Sequence, residues 1–448
     1  MFCLAEMQFL TALKLAATSS LAATLAAFGL ILLLTRLKVP LSIGILAGAV
    51  ALDLLFGHGV VETLRLSVLG AVQPQTVGLV VIVVMMLALS ETMRRAGQLD
   101  EIVAMARPLL RRPAVAMAAL PALIGLMPMP GGAQLSAPMV EAAAGGTKVA
   151  ADRLSAINYW FRHIWEHFWP LYPGVMVTLS LTRSDAASFA LHQFPLSILM
   201  VASGLLIFWR SHPDLHRVGP SARAGQARRL IWATSTIWVI LIVWGAARAL
   251  LSLLADTPAD GDASAALRRY GPLAAGLAVS LLWTVRMNRL TARDVLAVVR
   301  RTSIYKLAAV VVSVMVFWYA IQQAGAAGRI AGELAALHVP AEVVVAVLPL
   351  IAGLMTGLAV GFAGTSFPIV LAVVAAMPGE PSIRPYVALA YAFGHIGQML
   401  SPLHICQILS NEYFSARSRA VYRRLMAPAA AMAVLSVAYF LVLKLLVG

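Results

Sequence analysis

The sequence predicts an all-α polytopic membrane protein built from two inverted repeats. Three observations lead there: the density of apolar residues, the recurrence of long apolar runs, and a self-similarity at a fixed shift. Of 448 residues, 61% are hydrophobic and 12% charged, with a mean hydropathy of +0.86. Soluble domains carry about 45–50% apolar and about 25% charged residues. Runs of about 20 apolar residues, enough to cross a bilayer, recur along the whole length, so one membrane domain is expected.

Full spans are expected near 16–35, 40–57, 70–93, 153–182 and 186–209, then 230–254, 268–285, 303–323, 383–413 and 426–447. Two further apolar stretches, 113–144 and 341–377, are interrupted midway by "GLMPMPGGAQLSAP" and "GLAVGFAGTSFP". Neither arm spans comfortably, so each reads as a re-entrant helical hairpin. The N-terminus lacks a basic region followed by a small-residue cleavage site, so the first apolar stretch reads as a retained span.

The formal charge of +15 points to a bilayer before it points to nucleic acid. With the hairpins placed as above, most of the 34 basic residues fall on one side, which the preference of Lys and Arg assigns to the cytoplasm. Both termini then lie outside the cytoplasm, and a bacterial inner membrane is expected, with no nucleic-acid partner. Cys3 and Cys406 lie far apart, so no disulfide framework and no Cys-based metal motif is expected.

A shift of 228 residues lays Ala96-Gly97 on Ala324-Gly325 and "LPALIGLM" on "LPLIAGLM". With four more residues of offset, Phe161, His163, Ile164, Pro170 and Leu171 fall on Phe393, His395, Ile396, Pro402 and Leu403. The chain reads as a duplication, 1–210 and 230–448, joined by a basic linker at 211–229. Five spans and a hairpin per half force the second half to start on the opposite side from the first, so the repeats are expected to be inverted. Interrupted helices meeting at the midplane of inverted repeats are a feature of many secondary transporters.

In each half the hairpin is followed by a helix that proline interrupts: Pro170 and Pro173 in the first, Pro402 in the second. A proline inside a helix frees a backbone carbonyl, and a freed carbonyl in a membrane marks a polar cavity. Gly131, Gly132, Gln134 and Ser136 at one hairpin tip, with Gly364, Thr365 and Ser366 at the other and Ser401 at the second break, are candidate substrate contacts. Close helix packing is the competing reading of the glycines. Ionisable groups inside spans are costly and suggest function; here they are Arg162, His163, Glu166, His167 and His395, with His404 just past the break. His163 and His395 share a repeat position and are candidate proton or substrate ligands, with Glu166 a candidate coupling group and Arg162 a counter-charge for an anion. An Arg162–Glu166 ion pair four residues apart on a helix is the structural alternative. His163-Ile164-Trp165-Glu166-His167 also matches the H-x-x-E-H pattern of some zinc peptidases, but the other half keeps only its first histidine. The tryptophans and tyrosines at 159–172 read as an interfacial belt or packing, and Cys406 as packing.

"MPMPGGAQLSAPMVEAA", "NYWFRHIWEHFWPLYPGV", "VGFAGTSFP" and "GHIGQMLSPLHICQILSNEYF" together resemble an uncharacterised integral-membrane family, known as a domain of unknown function, within the ion-transporter superfamily of dicarboxylate, citrate, gluconate and arsenite carriers. The resemblance implies an elevator-type carrier, with hairpins and broken helices moving against a scaffold that forms a homodimer. It also implies a small anionic substrate and coupling to H⁺ or Na⁺, with no other cofactor. The hairpin tips here lack the asparagine of the Ser-Asn-Thr type motif that the dicarboxylate carriers use. A membrane zinc hydrolase on His163, Glu166 and His167, and a lipid-linked phosphate translocase, are the alternatives.

Overall fold

A computed structural model of the chain describes residues 19–129, 132–145, 148–208, 225–253, 261–326, 329, 330, 332, 333, 339–377, 379 and 381–447. Residues 16–18 of the first expected span, Gly131 and residues 211–224 of the linker lie outside the described residues. Every regular element among the described residues is helical. The first half runs α1 (Ser20–Arg36), α2 (Leu41–Leu55), α3 (Val60–Val72), α4 (Pro74–Arg95), α5 (Gln98–Ala106), α6 (Pro113–Gly125), α7 (Ala133–Ala143), α8 (Ala151–Arg162), α9 (Pro173–Thr182) and α10 (Ala186–Gly204). The second runs α11 (Gln226–Ala233), α12 (Ser235–Leu253), α13 (Asp262–Met287), α14 (Ala292–Val299), α15 (Thr302–Gln323), α16 (Ala341–Thr356), α17 (Ala359–Ala375), α18 (Ile383–Leu400), α19 (Ile405–Tyr413) and α20 (Ser418–Val447).

The duplication seen in the sequence recurs in the helix starts. The starts of α4 and α15, and of α6 and α16, lie 228 residues apart, while those of α8 and α18, α9 and α19, and α10 and α20 lie 232 apart. The turns between them match too. Gly97 and Gly325 take left-handed φ values of 67° and 57° at the ends of α4 and α15, and Arg183 and Ser415 take 50° and 51° after α9 and α19. Glycine reaches that region without steric cost, whereas Arg183 and Ser415 must be held there by the fold.

Among the described residues, five helices are long and apolar enough to cross a membrane: α4, α10 with its 3₁₀ extension to Phe208, α12, α15 and α20. Large side chains such as Ile242, Leu253, Leu445 and Leu446 stand exposed on α12 and α20, a surface suited to lipid rather than water. This is a membrane protein. The structure departs from the expected spans in three places. The 230–254 stretch is two helices, α11 and α12, divided at Thr234. The short helices α3, α5 and α14 were not expected, because Glu62 and Arg65, Asp100 and Glu101, and Arg293 and Asp294 interrupt their apolar runs. The 153–182 span breaks as expected, but its α-helix stops at Arg162, eight residues before Pro170.

The helices sort into two packed groups. α1 to α4 associate with α12, α13 and α15, chiefly α4 on α13, α2 on α15 and α12 on α13. α6 to α10 associate with α16 to α20, chiefly α16 on α18, α18 on α20 and α9 on α17. In the second group α8, α9, α17 and α18 are buried on nearly every side, as expected of central helices. The halves also exchange end caps. Ser19 N-caps α1, and the carboxylate of Glu333 accepts from the Ser20 and Leu21 amides at 2.7 and 2.8 Å, a favourable place for a negative charge.

Gly125 and Gly353 occupy equivalent repeat positions, and each lets a hairpin arm touch the backbone of the broken helix beside it. A Cβ on Gly125 would lie 2.0 Å from the Arg162 carbonyl oxygen, and one on Gly353 2.1 Å from that of Gly394. Residues 162 and 394 are themselves repeat equivalents. Backbone atoms cannot swing aside as a side chain can, so the helices must separate. Gly125→Ala or Gly353→Ala is expected to destabilise the detergent-solubilised protein by about 1–3 kcal/mol, the usual cost of overpacking. Gly245→Ala, which meets nothing within 4 Å on α12, should be neutral or stabilising; thermal unfolding of the three variants checks this.

Candidate functional site

The site is assembled where the two broken helices meet. α8 ends at Arg162, residues Ile164–His167 form one 3₁₀ turn, and α9 restarts with Pro173 at its first position, where proline costs no hydrogen bond. α18 continues to Leu400, and Ser401–His404 separate it from α19. Side chains satisfy the carbonyls that these breaks and the end of α6 leave without helical partners. Trp165 and Trp169 donate to Ala122 and Leu126 at 2.8 and 3.1 Å, Tyr172 donates to Gly125, and Ser197 donates to Ile164. The aromatic residues at 159–172, expected as a belt or packing, are therefore also hydrogen-bond donors. Their Nε1–H and O–H groups were the available signal.

Between the breaks lie Arg162, His163, Glu166, His167, His395 and His404, all buried. His163 Nδ1 is 2.6 Å from the Tyr159 carbonyl and His404 Nδ1 is 3.3 Å from that of Gln398. A carbonyl only accepts, so both Nδ1 atoms carry the proton and both Nε2 atoms face the cluster with a lone pair. Glu166 Oε2 accepts from Gln398 Nε2 at 2.7 Å and lies 3.7 Å from His395 Nε2, while Oε1 is 3.9 Å from His163 Nε2. Residues 166 and 398 are repeat equivalents, as are 163 and 395, so matching positions of the two halves meet at one carboxylate. The rings of His163 and His404 stand 4.8 Å apart between centroids, and those of His167 and His395 4.3 Å.

Arg162 does not pair with Glu166. Its guanidinium instead donates to the Met129 carbonyl at 3.0 Å and to Cys406 Sγ at 3.4 Å. The cause is the end of α8 at Arg162, which removes the helical i, i+4 relation on which that pairing depends. Gly132 makes room for Arg162, since a Cβ there would lie 2.1 Å from Nη2. Ser136 is buried and donates to Asn158 Oδ1 at 2.6 Å, whereas Gln134 is exposed. At the second hairpin, Thr365 and Ser366 donate to the carbonyls of Gly361 and Phe362 one turn back, and Gly364 faces Val314 at 2.1 Å from a would-be Cβ. Gly364 thus lets α17 pack closely on α15, while the Thr365 and Ser366 hydroxyls are bonded within α17. Ser401 is buried and its hydroxyl accepts from the Leu403 amide at 3.2 Å.

Beside the cluster is a polar lattice absent from the sequence expectations. Asn158 donates to the Ala133 carbonyl and to Ser410, and Ser155 donates to Asn411 Oδ1 at 2.7 Å. It ties α7 and α8 to α19, and no local pattern announced it, because its partners lie about 250 residues apart. A cleft of about 470 Å³ reaches from Pro170 in the first break to a ring holding Arg183, Arg248, Arg268 and Arg269 with Asp185. A larger cavity, lined by Arg228, Arg229 and Trp232, lies away from the cluster along α11 and α12. Three ligand atoms, one each from His163, His404 and Cys406, lie within 4.8 Å of one another, whereas His167 of the H-x-x-E-H stretch turns toward His395 and Tyr391.

A family model described as a protein of unknown function, DUF401, matches residues 17–243 and 267–443. The chain belongs to this family. No curated protein matches it. In this DUF401 chain the matched segments cover both hairpin arms and both broken helices. Asn158→Leu is expected to take the acceptor from the Ser136 hydroxyl and the donor from the Ala133 carbonyl, and to cost about 1–3 kcal/mol. Chemical or thermal unfolding in detergent measures it, with Gln134→Leu on the exposed tip as the neutral comparison.

Proposed function

We propose that the chain is a secondary active transporter that carries a small anionic solute across the bacterial cytoplasmic membrane by alternating access. The observation that carries this reading is the burial of Arg162, Glu166 and four histidines at the junction of two broken helices inside a membrane protein. Charged groups there are expensive and are retained where a solute or proton path requires them. In this proposal the repeats are inverted, and the chain is a distant relative of the ion-transporter superfamily. The group of α6–α10 and α16–α20 is the moving body of an elevator. The group of α1–α4 and α12–α15 is its scaffold and supports a homodimer.

Arg162 would receive the solute together with His163 and His404, which donate from Nε2 only once protonated, and the arginine-ringed cleft ending at Pro170 would concentrate anions by its field. Protons are the favoured coupling ion. Histidines change charge near neutral pH and dominate the cluster, while the hairpin hydroxyls of Thr365 and Ser366, which would help to line a Na⁺ site, are turned onto their own helix.

Purified protein in liposomes is expected to accumulate a labelled small anion from a broad panel under an imposed pH gradient. Glu166→Gln and His395→Gln should each lower uptake at least about tenfold, the equivalent of one buried hydrogen bond to a charged group. Uptake that follows a Na⁺ gradient and ignores pH would reassign the coupling ion; no uptake of any anion under either gradient would sink the proposal.

A further inference from the structure

We propose that His163, His404 and Cys406 form a binding site for a borderline-soft divalent metal ion, Zn²⁺, that clamps the two broken helices together. The three residues are 1%, 4% and 6% exposed. They come from the first break, from the second break and from the first turn of α19, so an ion held by all three joins the two halves. Their ligand atoms lie within 4.8 Å of one another. Tetrahedral zinc with bonds of about 2.0 Å to nitrogen and about 2.3 Å to sulfur sets its ligands roughly 3.3–3.6 Å apart, so closure of the widest pair by roughly 1.2–1.5 Å completes the geometry.

The tautomers are already set for this purpose. Nδ1–H of His163 is held by the Tyr159 carbonyl and that of His404 by the Gln398 carbonyl. Such backbone bonds orient a metal-ligating imidazole and direct the Nε2 lone pair at the ion. Glu166 can supply the fourth ligand, because Oε1 faces His163 Nε2 at 3.9 Å while Oε2 stays bonded to Gln398. The charge balance is favourable despite the neighbouring Arg162. Zn²⁺ with one thiolate and one carboxylate is neutral, and binding releases the single thiol proton of Cys406. The donor set of nitrogen, sulfur and oxygen suits zinc, whereas Mg²⁺ and Ca²⁺ require oxygen alone. His167 takes no part and Cys406 and His404 come from the other half, so this site differs from the peptidase reading, while it shares His163, His404 and Glu166 with the transport proposal.

The test uses the full-length protein purified in detergent, stripped with chelator and titrated with Co²⁺ and then Zn²⁺, with no gradient and no solute. One metal per chain is expected, with a sulfur-to-cobalt charge-transfer absorption that Zn²⁺ displaces and a raised apparent unfolding temperature. Cys406→Ser should abolish the sulfur band and His404→Gln should weaken binding at least tenfold, while His167→Gln should leave both unchanged. The wild-type spectrum alone reports thiolate ligation, so the outcome does not depend on any variant folding. Folded wild-type protein that takes up no Co²⁺ or Zn²⁺, or that binds cobalt without a sulfur band, overturns the proposal.

Discussion

A bilayer interior offers no water to a backbone group that has lost its helical partner, and this constraint organises the second half of each repeat. Every carbonyl freed by a break has to find a donor within the protein. The solution requires close approach, and Gly125 and Gly353 provide it by letting a hairpin arm rest on the carbonyls of residues 162 and 394. From that distance Trp165, Trp169 and Tyr172 reach the end of α6. A side chain at Gly125 would remove the indole and phenol donors from their acceptors together.

The same geometry makes the centre asymmetric. Both halves place a histidine at the equivalent position, but Arg162 faces Gly394 in the repeat register, and Glu166 faces Gln398. One half supplies charge and the other supplies a neutral donor to it. Two carboxylates in place of Glu166 and Gln398 would repel each other at low dielectric, while two amides would leave the histidines no ionic partner. A duplicated chain can therefore diverge at two positions and convert a symmetric crossing into a site with a single negative charge at its middle.

Much of the architecture was legible in the sequence. The 228- and 232-residue shifts reappear in the starts of α4 and α15, α6 and α16, α8 and α18, α9 and α19, and α10 and α20, because proline, glycine and apolar runs act locally. The pairing of His163 with His395 was legible for the same reason, through repeat equivalence. What escaped was long-range. Cys406 looks like a packing residue until the fold carries it, with His404, to His163, and the Asn158 lattice has no local signature. The end of α8 at Arg162 was hidden because proline marks where a helix cannot pass, and does not mark where packing ends it sooner.

The capping of α1 by Glu333 and the bonds from Asn158, Ser155 and Glu166 to residues 398–411 also constrain how the chain is made. Synthesis delivers the first half to the membrane before the second exists. Until residues 398–411 are made, Glu166 lacks its Gln398 donor and Ser155 its Asn411 acceptor, while Asn158 keeps Ser136 and the Ala133 carbonyl within the first half. The polar centre of the first half is therefore only partly satisfied before the C-terminal quarter of the chain exists.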